Sequence, residues 1–180
     1  MRAIHLLPVG DVKHELMVDL KNRLQITFHA DALILNSGFD ARQFYDEQRG
    51  QYNSTSIIRY LKETTGGHVG KRSKAYLAIT SHDLFIPILT YVFGEAELAG
   101  GVAVASYYRL QNELYGLQPD KQLLIDRLTK EAIHELGHAF GLVHCQTQEC
   151  VMHTSTYVED IDLKTDAFCR VCSTLLKNYR

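Results

Sequence analysis

The sequence lacks a long hydrophobic run. Nowhere do about 18 apolar residues follow one another, so no membrane-spanning helix is expected. It also lacks an excess of one charge. Nineteen Lys and Arg against 21 Asp and Glu leave a formal net charge of −2, which offers no bulk field to draw the chain to nucleic acid or a membrane. Internal repeats and low-complexity tracts are absent. The N-terminal MRAIHLLPVGDVKHEL holds only a short apolar run, broken by Pro8 and Gly10, with no small-residue cleavage site. It is too short for a signal-peptide core, and the expected compartment is the cytoplasm. Cysteine is missing from the first 144 residues; Cys145, Cys150, Cys169 and Cys172 all lie in the tail. In a reduced cytosol, clustered cysteines are more often metal ligands than disulfides.

What is present is the composition of a soluble globular protein, 46% apolar and 22% charged. A length of 180 residues suffices for one domain with a good core, or two lobes around a cleft. AIHLLPV (3–9) has the pattern of a buried strand, and 11–24 carries a helical apolar stripe. QITFHADALIL (25–35) reads as strand, and 38–54 as loop. STSIIRYLKETTGG (54–67) reads as a short helix with Ser54 or Ser56 as N-cap and Gly66 near the C-cap. KAYLAITSHDLF (74–85) begins as a strand and ends in a polar turn. ILTYVFGEAEL (88–98) and VAVASYYRL (102–110) read as strands joined through Gly100 and Gly101. Residues 120–141 form the longest helical pattern, started by Pro119 and Asp120. The tail is irregular from 142 to 163 and ends in a helix over about 164–177 carrying Cys169 and Cys172. Early alternation of strands and helices followed by irregular chain predicts an α/β N-terminal lobe and a small C-terminal lobe.

Chemistry concentrates in HELGHAFGLVHC, residues 134–145. At about 100° per residue, His134 and His138 lie about 40° apart on one helix face. Leu128, Ala132, Leu136, Ala139 and Phe140 fall on the opposite side, so the histidines face something other than that apolar stripe. Their spacing lets two imidazoles meet one ion. Glu135 sits beside them, suited to contact a metal-bound water without being a ligand. Gly141 can take positive φ and turn the chain, bringing His144 back as a third ligand. Three protein ligands leave a fourth position open, as in catalytic zinc sites. A chance match is the bland alternative, but H-E-x-x-H-x-x-G-x-x-H is a long constraint. Cys145 with Cys150 and Cys169 with Cys172 have spacings that suit one closed, four-thiolate structural zinc, which would staple the irregular tail. Two disulfides or free core thiols are the competing readings. Neighbours in extended chain point to opposite sides, so His144 can serve one metal and Cys145 another.

HELGHAFGLVH resembles the long zinc-binding consensus of the metzincin metallopeptidases. The following CQTQECVMHT, with CRVC at 169–172, is similar to the archaemetzincin (archaelysin) branch, and VFGEAELAGGVAVASYYRL resembles its strands more loosely. The resemblance implies an α+β zincin-like fold: a twisted mixed sheet with an antiparallel edge strand, an active-site helix and a small zinc-stapled C-terminal subdomain. It implies one metallopeptidase domain over 1–180, with subdomains 1–141 and 142–180. His134, His138 and His144 become ligands of a catalytic zinc, Glu135 the general base, and Cys145, Cys150, Cys169 and Cys172 ligands of a second, structural zinc. Met152 becomes the methionine of a tight turn beneath the catalytic site. An edge strand within 102–110 would bind an extended peptide or protein substrate by strand addition. The implied enzyme is a zinc metallopeptidase, with aminopeptidase action among its forms, expected to be a monomer. The alternative function is a catalytically weak or silent zinc protein that binds peptides or a partner protein. Nucleic-acid binding fits poorly, because the tail is net acidic.

Several other residues have two readings. His153 and Tyr157 could approach substrate or metal, against a plain hydrogen-bonding or packing role. Glu95 and Glu97 could read a free α-amino group, against a solvated strand face. Arg127 and Lys130 share the histidine side of the helix upstream and are expected to form salt bridges.

Overall fold

The computed structural model describes residues 2–36, 38–65 and 74–178. Its central element is a mixed five-stranded sheet, and the apolar runs of the sequence explain it. β1 (Ala3–Val9), β2 (Asp31–Ile34), β5 (Lys74–Thr80) and β8 (Val102–Ser106) are mutually parallel, and β7 (Gly94–Ala96) closes one edge antiparallel to β8, in the order β2-β1-β5-β8-β7. Parallel strands are covered on both faces and so read as continuous apolar runs. Alternation then divides them. Ile4, Leu6, Ala75, Leu77, Ile79, Ala103 and Ala105 face one layer, whereas Leu7, Val9, Ala78, Val102 and Val104 face the other.

The first layer holds α1 (His14–Phe28) and α3 (Lys121–Ala139); the second holds α2 (Ser54–Thr64), which buries Ile57, Ile58 and Leu61. Leu128, Leu136 and Phe140 on the α3 side are fully buried, each worth about 1.5–3 kcal/mol of transfer free energy. The same core continues into the tail through Val151, Met152, Ile161 and Leu176. Among its described residues the tail has α4 (Val158–Leu163) and α5 (Arg170–Asn178) as its regular elements. Among the described residues no helix is long and apolar enough to cross a membrane.

Strand β1, the bodies of the helices and the start of α3 agree with the sequence pattern. Asp120 caps α3, accepting from Leu123 N–H at 2.9 Å. Other expectations need correction. Gln25–Phe28 continue α1 because Leu24 and Phe28, one turn apart, bury together, and Phe28 packs on Phe140 with ring centroids 5.5 Å apart. The chain leaves the helix at His29, whose left-handed φ of 47° makes the cap. The loop 38–54 holds a 3-10 turn (Ala41–Phe44) and two short strands, β3 (Tyr45–Asp46) and β4 (Gln51–Asn53), which join β6 (Leu84–Phe85) in a second small sheet. The N-cap of α2 is Asn53, accepting from Ser56 N–H, and neither Ser54 nor Ser56; Gly66 lies outside the described residues.

Of 88–98, Gly94–Ala96 forms a strand and Val92 makes a single antiparallel bridge to Leu84; exposed Ile88 and Leu89 precede them. Strand β8 stops at Ser106, whose Oγ accepts from Tyr108 N–H at 3.1 Å and starts a 3-10 turn. Because β8 lies between β5 and β7, the edge strand on this side of the sheet is Gly94–Ala96 and not 102–110. The final helix starts at Arg170, not near 164. Residues 165–167 are held out of helix by Thr165 N–H to Glu149 O and Val151 N–H to Ala167 O, both 3.0 Å.

Candidate metal centre and cleft

Helix α3 delivers His134 and His138 and then ends abruptly. Leu142 N–H donates to Gly137 O at 2.9 Å and Gly141 N–H to His138 O at 2.8 Å, the paired bonds of a Schellman stop. Gly141 takes φ 106°, which a side chain would oppose. The loop between β7 and β8 completes the end, with Ala99 N–H donating to His138 O and Gly101 N–H to Ala139 O. After this turn His144 returns to the other two histidines, with ring centroids 5.3 Å from His134 and 4.7 Å from His138.

The hydrogen bonds set the tautomers. His134 Nδ1 donates to Val151 O and His138 Nδ1 to Leu142 O, both at 2.8 Å. Each Nε2 is thereby left with a bare lone pair, and the two Nε2 atoms face each other at 3.1 Å. Two acceptors that close call for a proton or a metal ion between them. Candidate ligand atoms of all three histidines lie within 4.8 Å of one another. Burial holds His134 well below the ordinary imidazole range, aided by the nearby Lys164 charge; burial also lowers His138 and His144. Neutral imidazole is the ligand form.

Glu135 is buried beside the histidines, and burial pushes its carboxyl well above the usual range, reinforced by Glu131 one turn earlier. The two carboxyls hydrogen-bond to each other, so one of them keeps a proton. Burial raises Glu131 too, while Lys164 opposes that rise. Lys164 itself is 2% exposed and donates to His153 O at 3.1 Å; burial lowers its ammonium and the two carboxyls partly restore it. A cavity of about 500 Å³ is lined by Tyr91, Gly94, Glu135, His144, Tyr157 and Lys164, among others.

Beneath the helix, His153 N–H donates to Cys150 O at 2.8 Å, forming a tight turn that places Met152 in the core. Gly137 makes room for it: a Cβ there would stand 2.4 Å from Met152 Sδ. The cysteines gather on the far side of His144. Cys145, Cys150, Cys169 and Cys172 bring their sulfurs within 4.8 Å of one another, with Cys145 and Cys169 at 3.8 Å and no disulfide among them. Cys169 N–H points at Cys150 Sγ, 3.3 Å away. Burial pushes the Cys150 and Cys172 thiols up, while backbone hydrogen bonding draws Cys169 down to about 7.

The remaining candidates sort as follows. Tyr157 is exposed on the cavity rim, and His153 Nδ1 hydrogen-bonds Thr154 O. Glu95 is held by Ser54 and Thr55 and Glu97 by Lys62, so both are half-buried and engaged with α2. Arg127 grips Asp162 with two hydrogen bonds at 2.8 and 2.6 Å, but Lys130 donates to the Ile161 carbonyl rather than to a carboxylate. Sequence reasoning missed Glu131, Gly137 and Lys164. Glu131 had a signal, four residues before Glu135 on the same helix. Lys164 had none, since only the fold carries it there.

The sequence model of peptidase family M54 matches residues 11–178. The chain is 38% identical to the archaemetzincin of Methanocaldococcus jannaschii over 171 residues, covering 95% of this chain and 90% of that one. It is 36% identical to the archaemetzincin of Archaeoglobus fulgidus over 174 residues, covering 97% and 98%. The crystal structure of the latter, complexed with malonate, superimposes with a TM-score of 0.80 over 96% of this chain and 98% of that one, at 36% identity. A zinc-dependent peptidase from Methanocorpusculum labreanum superimposes at 0.83, with 30% identity and 96% and 99% coverage. With the metal-ligand geometry and these similarities together, the chain belongs to peptidase family M54, the archaemetzincins, and is a zinc metallopeptidase acting on peptide or protein substrates.

Proposed function

We propose that His134, His138 and His144 hold the catalytic zinc ion and that Glu135 is the general base. The observation that carries this is the pair of bare Nε2 atoms facing each other at 3.1 Å, both Nδ1 atoms being committed to carbonyls. Zinc bound there supplies an activated water and polarises the scissile carbonyl. Glu135 takes the water proton on its carboxylate and hands it to the leaving nitrogen. Its burial and its bond to Glu131 raise its proton affinity, which suits a group that must both accept and release a proton. A complete ligand and base set opening on a cavity favours hydrolysis over the catalytically silent reading.

The four cysteines hold a second, structural zinc. Four thiolates around zinc with arms of about 2.3 Å are about 3.8 Å apart along a tetrahedral edge, and Cys145 and Cys169 stand at 3.8 Å. The fold is of the zincin-like metzincin type, one domain with subdomains 1–141 and 142–180, and the edge Gly94–Ala96 receives an extended substrate. The chain acts as a cytoplasmic monomer, without nucleic-acid or membrane partners. Zinc analysis of the purified protein should give two ions per chain. Glu135→Gln should keep both while lowering peptide-library cleavage by about 10²–10⁴-fold. Full zinc occupancy with no cleavage by the native protein would overturn the hydrolytic reading.

A further inference from the structure

The floor of the cleft carries a cation that the hydrolytic step does not use. Lys164 is buried yet lines the cavity, and its ammonium makes a hydrogen bond to His153 O. An ammonium has three donors, so two remain for a ligand. Ser155 Oγ, in the same lining, is buried with no hydrogen-bond partner among the described residues. Buried polar groups of this kind call for a partner. Glu131 does not supply it: among the described residues no carboxylate forms an ion pair with Lys164, whose one hydrogen bond goes to His153 O.

The cleft is also bridged near this floor. Tyr91 OH donates to Thr156 O at 2.9 Å, joining two lining segments. The Tyr91 ring lies 4.0 Å from the Arg109 guanidinium, and Arg109 is gripped by both Asp83 oxygens at 2.6 and 2.7 Å, so the bridge stands on a rigid support. Gly94 lies against Glu135: a Cβ there would be 2.6 Å from Glu135 Cγ. A peptide added to the free edge of β7 in the antiparallel sense, the more stable pairing, runs opposite to Gly94–Ala96. Beyond the scissile bond it therefore heads from Gly94 toward Tyr91, a span of about 10 Å of extended chain.

We propose that the substrate ends there: the cleft binds a peptide's free C-terminal carboxylate on Lys164 Nζ and Ser155 Oγ, and about three C-terminal residues or fewer are released. This rests on the hydrolytic reading above and names its substrate class. The C–N amide bond breaks, the water oxygen joins the carbonyl carbon, and the water proton passes through Glu135 to the leaving nitrogen, so one water is consumed per bond.

The test uses zinc-loaded full-length protein and N-acetylated peptides of one sequence, made as free acids and as C-terminal amides. The acids are expected to be cut within their last few residues, with kcat/KM roughly tenfold or more above the amides, the scale of one hydrogen bond to a charged group. Lys164→Met should erase that preference, and Tyr91→Phe, which deletes only the bridging hydroxyl, should raise cleavage of the amides. Equal rates for acid and amide, or cleavage in mid-chain, overturn the proposal. Fluorescence anisotropy of the same peptides on Glu135→Gln reads the preference without any bond being cut. The acid should bind tighter by the same factor, and equal binding overturns the carboxylate site even where hydrolysis is found.

Discussion

The two metal-ligand clusters lie one residue apart in sequence and differ in almost every physical respect. His134 and His138 are brought in by a 19-residue helix fixed in the main core, and His134 and His144 border a cavity of about 500 Å³. The cysteines are brought in by chain with little regular structure, joined by the 3.0 Å backbone bonds between 149–151 and 165–167. The first site is supported by the fold and left open, which suits chemistry. The second draws its tail together and is closed, which suits structure. On the proposed reading one kind of ion serves two ends, and what differs is where the supporting free energy comes from.

The sharpest way to break this contrast is to remove one ligand from each site. His138→Ala should abolish peptide cleavage, a loss on the order of a thousandfold or more, with one zinc gone and the melting temperature little changed. A globally unfolded variant, seen by circular dichroism, would mean that the histidine site also holds the fold. Cys169→Ser should lose the other zinc and destabilise the tail by several kcal/mol. Limited proteolysis after residue 142 should accelerate, and a tail as resistant as the native one would remove the cysteine site from its structural role.

A smaller effect separates the sites by pH. Burial holds the three histidines below their ordinary 6.5, so above about pH 6.5 zinc has no proton to displace there, and affinity stays nearly flat between about pH 7 and 8. The Cys150 and Cys172 thiols are pushed up by burial and must each release a proton. Affinity at that site should rise with pH, by about a hundredfold per unit from those two protons alone. Chelator competition at the two pH values measures both slopes, and parallel slopes would erase the distinction. The smallest expected effect is Gly137→Ala. Its Cβ would press on Met152 Sδ, 2.4 Å away, in a fully buried position, costing about 1–3 kcal/mol in thermal or denaturant unfolding. An unchanged melting temperature would show that Met152 can move aside.

Much of the site was legible because its determinants are local. Helical spacing put His134 and His138 together, Gly141 announced the turn, and paired cysteine spacings announced the second cluster. The apolar run 3–9 announced a buried strand and 102–110 a strand, of which Val102–Ser106 forms, and adjacent Cys145 was expected to turn away from His144, as it does. Boundaries were less legible where tertiary contacts override the pattern. Gln25–Phe28 are helical because Phe28 finds Phe140, more than a hundred residues away. The apolar letters of 89–93 line a cavity rather than form a regular strand, and periodicity cannot tell those two uses apart.

The sequence by itself determined the donor chemistry: which side chains can hold metal, in which two groups, and with which acid beside them. Those properties follow from residue type and spacings of a few positions, which helix and turn geometry translate directly. Only the tertiary structure decided the environment of that chemistry. It put Glu131 against Glu135, carried Lys164 to the cleft floor from the far side of α4, made Gly94–Ala96 an edge strand, and bridged the cleft with Tyr91 and Thr156. Such placements depend on which distant surfaces bury against each other, and no local spacing encodes that.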